Sequence, residues 1–228
     1  GTNTAASSFN TNYCYDTETN TWTTMKAMTA TRVYHSAVAV GTKIYVMGGG
    51  TTPGAGSSSK TNYCYDTETD SWSTKASIST HVGYRRRHAA VAVGTKIYVM
   101  GGMDDNNTYP LTSGYYDTET NKWSTLNNIP EGIQSEDVTV VGSKIYVLYT
   151  GTDTGYIYSP TSDKFEIIAE TFLRYVDSHT AAAVGTKIYV MGGYNSEHLR
   201  KSINNFCYDS KTNTWTTMKA MTATRVYH

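Results

Sequence analysis

The chain repeats itself, and this repetition constrains its fold more than any other feature of the sequence. One segment, Ala-Val-Ala-Val-Gly-Thr-Lys-Ile-Tyr-Val-Met-Gly-Gly, occurs at 37–49 and returns at 90–102, 138–149 (diverged) and 181–193. A second segment, Tyr-Cys-Tyr-Asp-Thr-Glu-Thr-Asn-Thr-Trp, occurs at 13–22 and has relatives at 63–72, 114–123, 156–165 and 206–215. Successive aromatic residues at the end of this second segment are 50, 51, 42 and 50 residues apart. A fixed period of this size predicts stacked copies of one small structural unit.

Each period is typical of four short β-strands. A run of small apolar residues, Ser36 to Val40, suits a crowded innermost strand, and a Gly-Thr-Lys turn leads into the alternating, β-branched strand Lys43 to Met47. The third strand is Tyr13 to Asp16, followed by a polar turn in which an Asp side chain can cap backbone amides. The fourth strand carries the Trp. We find no convincing helix in the sequence.

The Gly-Gly pair, the Tyr-Asp step and the Trp about six residues after the Asp resemble the kelch repeat over nearly the whole chain. The resemblance implies an all-β, kelch-type β-propeller in which the Trp packs between blades. It predicts four full four-stranded blades plus a two-stranded half-blade. The third and fourth periods depart from the pattern at Tyr149-Thr150, Ser159 and Phe165, which we interpret as a worn blade.

We expect a single propeller domain over 1–228, with a half-blade at 1–34 and blades at about 35–87, 88–136, 137–178 and 179–228. Residues 20–35 and 213–228 are identical, and the outer strand pair occurs five times against four inner pairs. One interpretation is an excised, permuted or engineered piece of a longer array, which forms a homo-oligomer through the incomplete blade because closure removes exposed sheet edges. The alternative is a closed five-bladed ring with one thin blade.

The loops between the conserved turns differ in length and chemistry, and variable loops on a repeated scaffold commonly carry function. All seven arginines lie in these loops, together with the seven tyrosines outside the strand framework. Arg and Tyr dominate binding hot spots. The predicted partner-binding residues are therefore Arg32, Tyr34, Tyr84, Arg85, Arg86, Arg87, Tyr109, Arg174, Tyr175, Tyr194, Arg200 and Arg225.

Some of these residues have an equally strong architectural interpretation. Arg32 and Tyr34 recur as Arg225 and Tyr227, which also suits residues that line a central opening. The run Arg85-Arg86-Arg87 has no counterpart elsewhere in the sequence. Such a run is usually a solvated face, but beside Tyr84 it is the first candidate for contact with an anion or an acidic peptide.

Charge and cysteine placement narrow the classes of partner. The formal net charge is zero, and the variable loops carry as many acidic as basic residues, so nucleic acid is not expected as a partner. No apolar stretch approaches the roughly 18 residues of a membrane span, so no membrane partner is expected. Cys14, Cys64 and Cys207 occupy one repeat position, where we expect buried free thiols.

The sequence contains only weak motifs for metal binding or catalysis. The Asp-x-Glu-x-Asn turns lack the Gly and distal Glu of a calcium loop, so no metal and no cofactor are predicted, although a ring could bring His35, His88, His179 and His228 together. Kelch-like propellers include copper radical oxidases, whose motif we cannot match here, and sialic-acid mutarotases, for which Glu131 or Glu136 could supply acid and base.

Two hypotheses of function therefore stand. The first is a non-catalytic scaffold that binds a protein or peptide partner on the loop-bearing face. The second is a carbohydrate-binding or carbohydrate-converting propeller with a small sugar ligand.

Overall fold

The computed structural model describes residues 9–52, 58–132, 137–148, 155–168, 176–177, 179–195, 197 and 199–225. Throughout these residues the regular secondary structure is β-strand, and no helix occurs in them. The chain divides into two compact units, Gly1–Leu126 and Asn127–His228.

The first unit holds a two-stranded sheet and two four-stranded sheets, each an antiparallel meander in chain order. We call them the half-blade, the first blade and the second blade. The half-blade consists of β1 (Asn12–Asp16) and β2 (Thr21–Met25). The first blade consists of β3 (Ser36–Val40), β4 (Lys43–Met47), β5 (Asn62–Asp66) and β6 (Ser71–Lys75). The second blade consists of β7 (Ala89–Val93), β8 (Lys96–Met100), β9 (Gly114–Asp117) and β10 (Lys122–Thr125).

The second unit holds two further four-stranded meanders, which we call the third and fourth blades, and one short sheet. The third blade consists of β11 (Asp137–Val141), β12 (Lys144–Leu148), β13 (Tyr156–Ser159) and β14 (Lys164–Ile167). The fourth blade consists of β16 (Thr180–Val184), β17 (Lys187–Met191), β20 (Asn205–Asp209) and β21 (Thr214–Thr217). The short sheet consists of β15 (Val176–Asp177), β18 (Tyr194–Asn195) and β19 (Arg200–Lys201) and was not predicted. The predicted kelch-type arrangement of four full blades plus a two-stranded half-blade is confirmed.

The polar turn between the third and fourth strands of a blade is built by two side chains. In the first blade, Asp66 Oδ1 accepts hydrogen bonds from the backbone N–H groups of Glu68 and Thr69 at 3.0 and 3.2 Å, as the sequence predicted. Asp70 ends the turn with φ +47°, a left-handed conformation that Asn and Asp tolerate better than most residues. Its carboxylate accepts a 2.7 Å hydrogen bond from the Tyr65 hydroxyl. The turn is thus tied to its own sheet.

The same Asp70 carboxylate also joins the first blade to the half-blade before it. Its Oδ1 accepts the backbone N–H of Lys26 at 2.8 Å, and the Trp72 indole N–H donates to the Lys26 carbonyl oxygen at 2.8 Å. In the second blade, Trp123 donates to the Ala76 carbonyl oxygen of the first blade at 3.0 Å. These two tryptophans therefore lie against the preceding sheet, as the resemblance implied.

The glycine pair after the second strand is required by the chain that packs on it. Gly48 and Gly49 have φ values of +62° and +74°. A Cβ on Gly48 would lie 2.6 Å from the Arg85 carbonyl oxygen and 2.7 Å from the His88 ring. Both the left-handed conformation and the close approach exclude a side chain here.

Each unit has its own apolar core between successive blades. In the first unit Tyr45 and Met47 of the first blade pack against Ile97, Val99 and Tyr116 of the second. In the second unit Tyr146 and Leu148 of the third blade pack against the fourth blade in the same way. The worn third blade keeps its ring contact, since Phe165 lies 4.8 Å from Tyr158.

The prediction of three buried thiols is correct at two positions and wrong at the third. Cys64 and Cys207 are buried, whereas Cys14 is exposed. The reason is the missing neighbour: in the first blade β4 covers Cys64, but among the described residues no strand pairs with the corresponding edge of β1.

Candidate functional site

Loops at one end of the first and second blades form a cavity of about 280 Å³ within the first unit. We call it the rim cavity; it is lined by residues 81–85, 104–106, Pro110 and Thr112. Its walls come from the segment before β7 and from the loop between β8 and β9. An isolated antiparallel bridge between Arg86 and Met103 holds these two segments side by side, and a second bridge, Ser59 with Arg85, joins the first of them to the loop between β4 and β5. The cavity therefore brings Tyr84 and Arg85, two predicted site residues, into one place.

Arg85 forms the floor of the rim cavity and is almost completely buried. Its guanidinium group donates to the Tyr84 carbonyl oxygen at 3.0 Å, to Thr112 Oγ1 at 2.5 Å and to the Thr112 carbonyl oxygen at 3.4 Å. Burial lowers the pKa of Arg85 to about 10, and the nearby Asp104 carboxylate opposes the shift. The side chain stays cationic at neutral pH and fixes the two loops to each other.

Two residues of the Arg85-Arg86-Arg87 run are buried, so the run does not form the solvated face that such runs usually form. Arg85 takes the place in the second blade that Arg32 takes in the first: Arg32 is also buried, and its guanidinium donates to Gly48 and Thr61. Arg86 is buried as well and donates to Asn107 and to Met103 Sδ. Acceptors on the loops bind the terminal nitrogens of these three guanidinium groups, which offsets part of the cost of burying them.

Arg87 and Tyr34 are the members of the predicted set that contact each other at the surface. The Arg87 guanidinium carbon lies 4.4 Å from the centre of the Tyr34 ring, within the range of a cation–π contact. The Arg87 backbone N–H also donates to the Tyr34 carbonyl oxygen at 2.8 Å. Both residues have positive φ values, +50° and +57°, at equivalent places before β7 and β3.

The acidic side chains of the rim cavity accept hydrogen bonds from backbone N–H groups of the surrounding loops. Asp104 Oδ1 accepts the N–H groups of Asn106 and Thr108 at 2.9 Å each. Partial burial opposes ionisation of Asp104, but these hydrogen bonds and the Arg85 charge outweigh it and lower the pKa of the carboxyl. Asp105 Oδ1 accepts the Ser58 N–H at 2.8 Å. The cavity thus presents fixed charges of both signs.

Tyrosine rings form the exposed part of this surface. Tyr84 is 47% exposed, and the Lys60 ammonium lies 4.8 Å from its ring centre. Tyr109 is also exposed and precedes Pro110 of the cavity wall. Sequence reasoning missed Lys60 and Thr112, since each contacts its partner only through the fold of the loops, and no periodic signal marks either residue.

The histidines at the start of the inner strands differ in exposure, since His35 is exposed. His88 and His179 are buried. Burial, aided by the charges of Arg85 and His35, lowers the pKa of His88 to about 3. His228 lies outside the described residues, and the predicted convergence of the four histidines stays a prediction.

The remaining predicted site residues belong to the second unit. Tyr194 is half-buried in β18, and the side chains of Arg200 and Arg225 are exposed. Arg200 lines a separate cavity of about 380 Å³ with Asn195, Lys201 and Thr224. Arg174 and Tyr175 lie outside the described residues.

Neither a metal centre nor a membrane span is found in the part of the chain that the structure describes. Those residues contain no group of three or more His, Cys, Asp or Glu side chains able to hold a metal ion. They also contain no helix that is both long and apolar enough to cross a bilayer. Glu131, a candidate acid or base, accepts a 2.8 Å hydrogen bond from the Tyr156 hydroxyl, and Glu136 is outside the described residues.

Comparison with curated proteins finds kelch-like relatives. The chain is 25% identical over 217 residues to Kelch-like protein 25 of Xenopus tropicalis, a match that covers 92% of the chain and 36% of the relative. It is 28% identical over 161 residues to Kelch-like protein terF of Aspergillus terreus, covering 62% of the chain and 35% of the relative. It is 31% identical over 133 residues to Kelch-like protein 38 of Danio rerio, covering 57% and 23%. The chain thus spans little more than a third of the length of any of these three relatives.

Family models give the same result. The Kelch motif model matches residues 177–222. The model described as the KLHDC2/KLHL20/DRC7 Kelch-repeats domain matches residues 1–164, well over half of the chain. With its glycine pairs, turn carboxylates and blade-joining tryptophans, the chain belongs to this family of kelch-repeat domains.

Proposed function

We propose that the chain is a protein-interaction domain that binds a peptide segment or loop of a partner protein at the rim cavity of its first unit. The observation that carries the proposal is the exposed Tyr84 ring beside a cavity whose floor is the buried Arg85. An aromatic ring at the edge of a rigid, polar pocket is the arrangement typical of a binding hot spot.

The rigidity of the site favours a role in binding and not that of a solvated surface without a partner. Arg85 is fixed by three hydrogen bonds, and Asp104 by its own loop, so neither group needs to be ordered when a partner arrives. Preorganised side chains reduce the entropy lost on association. The exposed Tyr34 and Tyr109, together with the half-buried Arg87, extend the proposed surface beyond the cavity.

The charges of the site favour a peptide with both donors and acceptors. Arg85 and Lys60 supply positive charge, and Asp104 and Asp105 supply negative charge. A polyanion would be repelled by the carboxylates as well as attracted by the cations. A peptide segment without net charge, either zwitterionic or neutral, can interact with the cations and with the carboxylates of the site.

A sugar ligand is the second hypothesis, and the same residues favour it less. Stacking of a sugar on Tyr84 would use a ring that Lys60 already contacts. Asp104 Oδ2 already accepts the Thr108 hydroxyl at 2.9 Å, so it is engaged with its own loop. A glycan array is the direct measurement of this alternative.

The experiment selects binders from a phage-displayed library of random peptides on the wild-type chain. Enriched peptides are then titrated against Tyr84→Ala. We expect affinity to fall by about 2 kcal/mol, or roughly 30-fold, because truncation of a hot-spot tyrosine has this size. The matched control is Tyr13→Ala, which removes an equally exposed tyrosine of the half-blade and should leave affinity unchanged.

Arg85→Ala is not a clean test, because it removes buried hydrogen bonds and is expected to lower stability as well as binding. Both tyrosine variants keep the core and should melt close to wild type. Selected peptides that bind Tyr84→Ala and the wild-type chain with equal affinity would overturn the proposal. So would a selection that enriches no peptide when the glycan array identifies a bound sugar.

A further inference from the structure

One carboxylate of the rim cavity, that of Asp105, is held in place but has no cation beside it. Asp105 lines the cavity and is half-buried. Its Oδ1 accepts the Ser58 N–H at 2.8 Å, which ties the loop between β8 and β9 to the loop between β4 and β5. The ion pairs found among the described residues lie in other parts of the chain. The fold therefore positions the charge of Asp105 without compensating it.

The neighbouring Asp104 is, by contrast, a saturated carboxylate. Its oxygens accept the N–H groups of Asn106 and Thr108 and the Thr108 hydroxyl, each at 2.9 Å. The nearby Arg85 guanidinium also attracts it. Asp105 Oδ2 accepts no hydrogen bond from the described residues. Of the two adjacent carboxylates, only Asp105 is thus available to a ligand.

The basic side chains around the cavity are engaged with other groups. The Arg85 guanidinium donates to Thr112, and the Lys60 ammonium lies 4.8 Å from the centre of the Tyr84 ring. Arg86 is buried, and its guanidinium donates to the loop between β8 and β9. None of these three cations forms an ion pair with Asp105. The missing positive charge can therefore come from a ligand.

The net charge of the cavity lining also asks for one cation. With His81 counted as neutral, the lining carries the single cation Arg85 against the two carboxylates of Asp104 and Asp105. One added ammonium group makes the cavity neutral, whereas an added carboxylate raises the excess of negative charge. Electrostatic complementarity thus favours a basic group of the ligand.

The charge of Asp105 is not explained by the repeat. It stands three positions after the glycine pair of its blade, where the two other loops that follow such a pair carry Thr52 and Ser196. An amide oxygen could accept the Ser58 N–H as a carboxylate oxygen does, so this bond alone does not call for a charge.

The size of the cavity fits one side chain of a ligand. Its volume of about 280 Å³ lies just below the range of about 300–1,000 Å³ that is typical of pockets for whole small molecules. Exposed residues, among them Tyr84 and Asn106, border it. A peptide can therefore lie across the opening and insert one long side chain.

A lysine side chain suits the available carboxylate oxygen better than an arginine. Because Asp105 Oδ1 is engaged by the Ser58 N–H, Oδ2 is the oxygen left for the ligand. The planar fork of Arg gains most when it binds both oxygens of a carboxylate. The ammonium of Lys is a compact point charge that can bind one oxygen.

We propose that the rim cavity selects partner segments that carry a lysine, whose ammonium group binds Asp105 Oδ2. The inference rests on the proposed function, since it names one residue of the peptide that the cavity binds. A charge pair across an interface gives specificity more than raw affinity. Asp105 is in this sense the specificity-determining residue of the site.

The test repeats the selection from the random peptide library on two baits, the wild-type chain and Asp105→Asn. Asn removes the charge but keeps an oxygen for the Ser58 N–H, so both baits should melt at the same temperature. Peptides enriched on the wild-type chain should share a Lys, and those enriched on Asp105→Asn should not. One selected peptide is then titrated beside a norleucine twin, which keeps the methylene groups of Lys and lacks its ammonium.

On the wild-type chain, the norleucine twin should bind at least about tenfold more weakly, the effect of losing a close charge pair. On Asp105→Asn the two peptides should differ by less than about twofold, because the partner of the ammonium is gone. The matched control is Glu68→Gln, which removes an exposed carboxylate on the turn between β5 and β6 and should keep the tenfold difference. An arginine twin should bind the wild-type chain less tightly than the lysine peptide.

This inference and the proposed function fail in different ways. Peptides that depend on Tyr84 but share no Lys, or that lose equal affinity with norleucine on both baits, would refute the role of Asp105 and leave the proposed function standing. An arginine twin that binds as tightly as the lysine peptide would refute the choice of Lys. Peptides whose affinity is unchanged by Tyr84→Ala would refute the proposed function and this inference with it.

Discussion

The buried ring of His88 is expected to make the stability of the first unit depend on pH. His88 is buried at the start of β7, and neither ring nitrogen has a hydrogen-bond partner among the described residues. Among the described residues, the charged groups that act on His88 are Arg85 and His35, and both are basic and disfavour a positive charge on its ring. The folded protein therefore holds this ring neutral, whereas the unfolded chain can protonate it.

The size of the effect follows from the two pKa values. The pKa of His88 is lowered from 6.5 to about 3 on folding, chiefly by burial. Since the unfolded state binds the proton more tightly, stability is fully present above the unfolded pKa and is lost as pH falls below it. Between about pH 8 and about pH 5 the loss from this one group is about 2 kcal/mol.

Urea denaturation at the two pH values measures this loss. His88→Leu, which cannot titrate, should reduce the difference in unfolding free energy between the two pH values by about 2 kcal/mol, whatever its effect on absolute stability. His81→Leu is the control, because the His81 side chain is exposed and the change leaves the buried site intact. An unchanged pH difference in His88→Leu would refute the reasoning.

Two further predictions use pairs of equivalent positions and the same denaturation assay. Trp72→Ala should cost about 3–5 kcal/mol, because its ring and indole N–H join two sheets, whereas Trp22→Ala should cost less than about 1 kcal/mol, because Trp22 is 70% exposed. Equal losses would contradict the role given to the tryptophan between blades. Gly48→Ala should cost clearly more than the roughly 1 kcal/mol expected for Gly41→Ala: both have positive φ, but only Gly48 has backbone and ring atoms closer than 3.0 Å to the added Cβ. If Gly41→Ala proved as harmful as Gly48→Ala, the close approach would not be the constraint.

Much of the fold was predictable because it depends on local chemistry repeated at a fixed period. The apolar run Ile44–Met47 gives a strand that is largely buried, and Asp66 caps the turn after β5 through bonds to residues two and three positions on. Each such interaction lies within a few residues. Repetition then multiplies one reliable local pattern into four sheets.

The site was predictable only in part. Tyr84 and Tyr109 are exposed as expected, but the burial of Arg85 and Arg86 was not foreseen. An arginine is placed on a surface by its charge alone, unless acceptors from other loops surround it. For Arg85 those acceptors include both oxygens of Thr112, which is 27 residues away in the chain.

Cys14 also shows that burial depends on contacts with other segments of the chain. Its sequence neighbours match those of Cys64 residue for residue across the strand, yet one thiol is exposed and the other buried. Burial of this position depends on the neighbouring strand and not on the residue itself, so only the tertiary structure shows which of the two thiols is exposed.

By itself, the sequence determined the period, the strands, the turns and the kelch family, because these follow from glycine conformation, side-chain alternation and Asp capping within a few residues. The tertiary structure decided which charged side chains are buried, how Asp105 comes to line one cavity with Tyr84, and how Lys60 comes to lie over the Tyr84 ring. The physical reason is that burial and charge depend on contacts between segments far apart in the chain, which no local pattern specifies.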